Sequence, residues 1–258
     1  IKSYYKERDL KPYALDSRLF PNEQYSDFFL YCNNAFRNRF VAENSYALLL
    51  RKKIDIIHRF DFFNKYGSYI DNYQFKDSNF YSNIILPKFE SINDKYLSFT
   101  HKTILLNDDD YYPNIKEKIS FQHRGYSIIY RFPNSLGSVV HGNFGGIDVS
   151  RSISCKAIIR NQKFIYTPVY SFNNSSKYDL FFNNPTSTNL SIKIIMNTNT
   201  SCYDNQTVSK IIPSLGNSFL QLSDYTGTIS FESCMPSCRA LIITDPEGTF
   251  NNYDIFHS

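Results

Sequence analysis

Tryptophan is absent from this chain of 258 residues, and cysteine is scarce and scattered. The five cysteines, Cys32, Cys155, Cys202, Cys234 and Cys238, are an odd and sparse set, which argues against a disulfide framework. Cys234 and Cys238 stand four apart. A zinc site needs a second such pair, and none is spaced for it, so a local disulfide or two free thiols is expected. No run of about 18 apolar residues occurs, so no membrane-spanning helix is expected. The opening Ile1-Lys2-Ser3-Tyr4-Tyr5-Lys6-Glu7 lacks the apolar centre of a secretory leader. Basic charge is not concentrated either. The net charge is +4, and the one basic triplet, Arg51-Lys52-Lys53, meets Asp55 almost at once. Nucleic-acid binders gather their charge on one face or in one run, so a nucleic-acid partner is not expected. There is no Gly-x-Ser-x-Gly and no Cys-His signature for nucleophilic catalysis. No cofactor is expected.

What is present is a core. Hydrophobic residues make up 42% of the chain, which excludes a disordered polymer. The aromatic share comes from 21 Tyr and 23 Phe. Tyr, Phe, Asn, Ile and Lys are the residues of A/T-rich codons, so an exposed Tyr does not by itself mark a ligand platform.

Two distant stretches read as variations on one pattern. The first has Ile57-His58-Arg59-Phe60-Asp61-Phe62-Phe63, then Asp71-Asn72, Asn83-Ile84-Ile85-Leu86 and Tyr96-Leu97-Ser98-Phe99. The second has Ile192-Lys193-Ile194-Ile195-Met196, then Asp204-Asn205, Asn217-Ser218-Phe219-Leu220-Gln221-Leu222 and Thr228-Ile229-Ser230-Phe231. Short apolar runs separated by Asn, Asp, Ser and Gly are the signature of strands and turns. The expected fold is all-β, with one or two antiparallel sandwich or barrel units, an internal duplication if the echo is real, and a partly helical N-terminal segment.

The expected organisation is an N-terminal arm and helix over 1–53, a first β unit over 54–150 and a second over 151–258. Phe28, Phe29, Cys32, Phe36 and Phe40 recur at helical spacing, which predicts a helix with a buried stripe. The run Tyr46 to Arg51 reads as helix end or strand, with strand preferred because Asn44-Ser45 interrupts the pattern before it. Asn64-Lys65-Tyr66-Gly67 predicts a hairpin turn between Ile54–Phe62 and Ser68-Tyr69-Ile70. Further strands are expected at about ten-residue spacing from 82 to 244. The glycine-rich Gly142-Asn143-Phe144-Gly145-Gly146 is the expected boundary between units.

Four of the five histidines, His58, His101, His123 and His141, lie in the first β unit. Imidazoles on neighbouring strands can converge on a metal. The chain lacks His-x-His and His-x-Asp/Glu spacing, so separate structural histidines are the simpler reading. His101, His123, Arg124, His141 and Asn143 are the candidate binding residues, because polar groups and a glycine-rich loop occur together there. Asp108-Asp109-Asp110 lacks EF-hand spacing and reads as a solvated turn. The sequons at Asn173, Asn174, Asn189, Asn199 and Asn205 read first as turn chemistry.

The function expected from this pattern is a non-enzymatic binding or structural β module for a carbohydrate or a protein partner at a surface. The alternatives are a metal-dependent enzyme with its site among His58, His101, His123 and His141, and a subunit of a larger surface or virion assembly. An oligomer is compatible with the sequence.

Overall fold

The computed structural model describes residues 24–33, 36–106, 125–131, 137–142, 163–185, 189–198, 205–235, 238–246 and 253–258. Among these described residues, sixteen antiparallel strands fall into four sheets of four. The first sheet orders β1 (Gln24–Cys32), β6 (Tyr96–Leu105), β3 (Ile56–Phe63) and β4 (Tyr69–Asp77). The second orders β5 (Tyr81–Ile85), β2 (Arg37–Glu43), β7 (Gly125–Tyr130) and β8 (Ser138–Val140). The third orders β9 (Phe164–Tyr166), β14 (Gly227–Ser233), β11 (Leu190–Thr198) and β12 (Asn205–Ile212). The fourth orders β13 (Asn217–Leu222), β10 (Tyr178–Asn183), β15 (Leu241–Thr244) and β16 (Asp254–His257).

Numbered from its own first described strand, each set of eight gives one sheet ordered 1-6-3-4 and one ordered 5-2-7-8. The orders are the same in both sets. The sequence echo falls on corresponding strands: β3 with β11, β5 with β13, and β6 with β14. Of the expected boundary loop Gly142–Gly146, all but Gly142 lies outside the described residues.

Alternation of side chains explains the two sandwich cores. In the first, Phe29 and Tyr31 of β1 meet Phe40, Phe60, Phe62, Leu97 and Phe99. The rings of Phe29, Phe60 and Phe99 all pack around Phe40, at centroid separations of 4.8, 5.3 and 5.8 Å. In the second, Tyr178, Leu180 and Phe182 of β10 meet Ile192, Ile194, Ile229 and Phe231.

The expected helix over the Phe28–Phe40 stretch is not there; the described part is two strands. Its apolar positions are buried as the pattern required, from 0% exposed at Phe28 and Phe40 to 6% at Phe36. The period misled because β1 is covered on both faces. Phe29 and Tyr31 point into the first sandwich, while Leu30 and Cys32 point into a third cluster. A strand buried on both sides loses its alternation, and a continuous apolar run then fits either period. The chain then crosses to the other sheet, held by the Asn38 amide, which bonds the Cys32 backbone N at 2.9 Å and O at 2.6 Å.

The preference for a strand after Asn44 is also corrected. Ser45–Leu50 is a short helix, α1. The Asn44-Ser45 break is its cap, because Asn44 Oδ1 accepts from Ala47 N at 3.0 Å. The hairpin over 64–67 forms as expected, joining β3 to β4. The strand β16 lies beyond the last strand that the sequence predicts. Cys32, Cys234 and Cys238 are free thiols.

The third cluster joins the two strand sets. Leu30, Cys32, Phe36, Tyr96, Ile129 and Val140 pack against Phe181, Leu241, Ile243 and Ile255, which form the outer face of the β13-β10-β15-β16 sheet. Phe36 stacks on Tyr253 at 4.6 Å. Polar bonds cross the same seam. Asn183 Nδ2 donates to Phe28 O at 2.8 Å, and Ile255 N donates to Ser138 Oγ at 3.0 Å. Asp179, fully buried, accepts from Tyr96 Oη at 2.6 Å and from Lys95 Nζ at 2.7 Å.

Candidate functional site

One rim of this seam opens into a cleft of about 580 Å³. That volume falls within the range of small-molecule sites, roughly 300–1,000 Å³. Its first wall is the β3–β4 turn. Asn64 Oδ1 accepts from Tyr66 N at 3.0 Å and Ser68 N at 2.9 Å, an Asx turn that sets the tip. Gly67 closes it with φ 78°, and a Cβ there would run into the carbonyl oxygen of Ser214 across the seam. The turn therefore sits directly on the second strand set, and Lys65 O accepts from Asn217 N at 3.3 Å. It leaves Tyr66 65% exposed on the cleft wall.

The floor comprises Tyr96 and Phe219, edge to face at 5.2 Å. The ammonium of Lys95 lies 5.3 Å from the Tyr96 ring centre and 5.8 Å from that of Phe219. Burial pushes the Tyr96 phenol far above its usual range, and the nearby Cys32 and Asp179 add to that shift, so it stays a hydrogen-bond donor. The far wall carries Lys210, Ile211, Pro213 and Asn217. Ile211 is 70% exposed, and the buried side-chain nitrogen of Asn217 has no hydrogen-bond partner. Asp94 also lines the cleft, held by Lys65 Nζ at 3.1 Å. The hydrogen bond and the ion pair push the Lys65 ammonium above its usual range.

A second cleft, about 440 Å³, lies among the loops at one end of the second set. Small polar residues such as Asn173, Ser175 and Ser223 line it, and its Tyr178 ring is buried in the core. It has no counterpart to the exposed Tyr66 and Ile211 of the seam cleft.

The histidines named from sequence are elsewhere. His58 and His101 lie side by side inside the first sandwich, fully buried, with His58 Nδ1 2.9 Å from His101 Nε2. Phe40 and Phe60 flank the His101 ring at 4.8 and 5.0 Å. Burial pushes the His58 imidazole down to about 4, with Asp77 acting weakly against it. His141 instead stacks on His257 at 4.0 Å, and His257 Nε2 is 3.2 Å from His141 O. His123, Arg124 and Asn143 lie outside the described residues. Among the described residues, no group of three or more His, Cys, Asp or Glu side chains could hold a metal ion.

None of the cleft residues stands among the binding candidates that the sequence suggests. Tyr66 sits in the expected turn, and Asn217 to Phe219 in an expected strand. Only the docking of β13 beside the β3–β4 turn makes them neighbours.

No family model matches the chain, and no curated protein does. Among solved structures, the chain is similar to the N-terminal CBM22-1–CBM22-2 tandem domain of Xyn10C from Paenibacillus barcinonensis. The identity is 7%, the TM-score is 0.21, and the match covers 92% of this chain and 79% of that one. A likeness of that size says nothing about what the cleft holds.

Proposed function

We propose that the chain is a non-catalytic binding module, two copies of one eight-stranded unit, whose seam cleft takes a saccharide. A sugar ring has an apolar C–H face and a rim of hydroxyls. It fits a cleft with an exposed aromatic ring and polar side chains beside it. The observation that carries the reading is the exposed Tyr66 ring in a cleft that Lys210, Asn217 and Ser218 also line. Binding is favoured over hydrolysis by the lining. Asp94 is the one carboxylate among the described lining residues, and glycoside hydrolysis ordinarily uses two. The shared strand order and the echo on β3 and β11, β5 and β13 support the two-copy reading.

Calorimetric titration with a panel of neutral and acidic oligosaccharides tests this. Tyr66→Ala should weaken binding by about 30-fold, the cost of about 2 kcal/mol typical of an aromatic anchor. Its melting temperature should be unchanged, because the ring is exposed. Asn217→Ala should weaken binding as well. No binding by any member of the panel, or binding indifferent to both substitutions, would refute the saccharide reading.

A further inference from the structure

The two strand sets treat corresponding sheets differently. In the second set the 5-2-7-8 sheet hides its outer face, with Phe181, Leu241, Ile243 and Ile255 packed on the first set. In the first set the corresponding sheet is β5-β2-β7-β8, and among the described residues much of its outer face is exposed, although Tyr130 beside Arg37 is covered, at 6%. It carries Tyr81 at 58% exposure, Ile85 at 60%, Tyr126 at 40% and Val139 at 59%. Strand register draws these into one patch. Ile85 lies opposite Arg39, Arg39 opposite Ile128, and Ile128 opposite Val139, in a single row across all four strands. The adjacent row sets Val41 beside Tyr126, and the next sets Glu43 beside Tyr81.

We infer that this face is a homodimer interface, packed on the same face of a second copy of the chain. Three observations favour that occupant. First, the corresponding face is already the protein's own docking face in the second set. Second, the patch holds two Tyr and two Arg, residue types that anchor protein interfaces, beside its aliphatic side chains. Third, its charges complement themselves. The outward positions of β2 run Arg37, Arg39, Val41, Glu43. A twofold axis lying across the strands at the level of Phe40 places Arg37 over Glu43 of the second copy. Closed twofold dimers are the commonest protein assemblies, and they require this self-complementarity. Face-to-face sheet packing also covers the apolar row without exposing an edge strand.

Sedimentation velocity of the full chain over a dilution series tests the inference independently of the cleft. The wild-type protein should be a dimer that dissociates on dilution. Val139→Glu and Ile85→Glu should each give monomer with an unchanged melting temperature. If Val139→Glu fails to fold, Ile85→Glu, on an edge strand, carries the test alone. Arg37→Glu should weaken the dimer, and the double variant Arg37→Glu/Glu43→Arg should restore it. Tyr66→Ala should leave the dimer intact. A wild-type chain monomeric at every concentration would overturn the inference. So would a dimer that survives both apolar substitutions, or assemblies that grow beyond two chains.

Discussion

Replacing Asp179 with alanine should loosen the seam between the two strand sets. The carboxylate is fully buried and accepts from Tyr96 Oη at 2.6 Å and Lys95 Nζ at 2.7 Å. Removing one partner of a buried charged pair costs roughly 3–5 kcal/mol. The lower end applies here, because the Lys95 side chain is 30% exposed and can turn its ammonium to water. Tyr96 has no such escape. It is 2% exposed, and a buried hydroxyl left without an acceptor costs about 1–3 kcal/mol. A loss of about 3 kcal/mol is therefore expected. At about 2–4 °C per kcal/mol for a chain of this size, the melting temperature should fall by about 6–12 °C. Differential scanning calorimetry near neutral pH measures this directly. Asp179→Asn should be milder, since its amide oxygen still accepts from Tyr96. A double-mutant cycle with Tyr96→Phe should show coupling between the two sites. An Asp179→Ala protein melting within a degree or two of wild type would show that the seam is not held at this point.

Two further outcomes are expected. Phe36→Ala should cost about 3–5 kcal/mol in urea unfolding, because the ring is 6% exposed and stacked on Tyr253; an unchanged midpoint would remove Phe36 from the core. His58, neutral and buried, should make the fold acid-sensitive. Its folded value of about 4 lies below the ordinary histidine value near 6.5, so between them the unfolded chain holds the proton and the folded chain does not. That contribution is intact above pH 6.5 or so and is lost as pH falls toward about 4, by about 3 kcal/mol in all. His58→Gln should flatten the pH dependence of the unfolding midpoint over this window. An identical slope in the variant would mean that other groups carry it.

Local chemistry made much of the fold legible in the amino-acid sequence. The alternation in Ile56–Phe63, the turn residues Asn64 and Gly67, and those apolar runs between 82 and 244 that fall on described residues each specify strand or turn without help from distant residues. The same holds for the echo, since corresponding strands carry similar patterns wherever they end up. Local pattern failed where burial came from two sides or from a cap. In β1 every residue from Phe28 to Cys32 is apolar or aromatic, because one sandwich core takes Phe29 and Tyr31 while the seam takes Leu30 and Cys32. Asn44 looked like an interruption because its side chain serves the helix start rather than solvent. The cleft was invisible for a different reason. Tyr66, Tyr96, Asn217 and Phe219 are each unremarkable in their own strand or turn, and their proximity depends on which sheet face docks on which. That choice belongs to the long-range contacts, in which Asp179 meets Tyr96 and Phe36 meets Tyr253 across more than eighty residues of chain. No short window of sequence contains both partners, so only the tertiary structure could decide it.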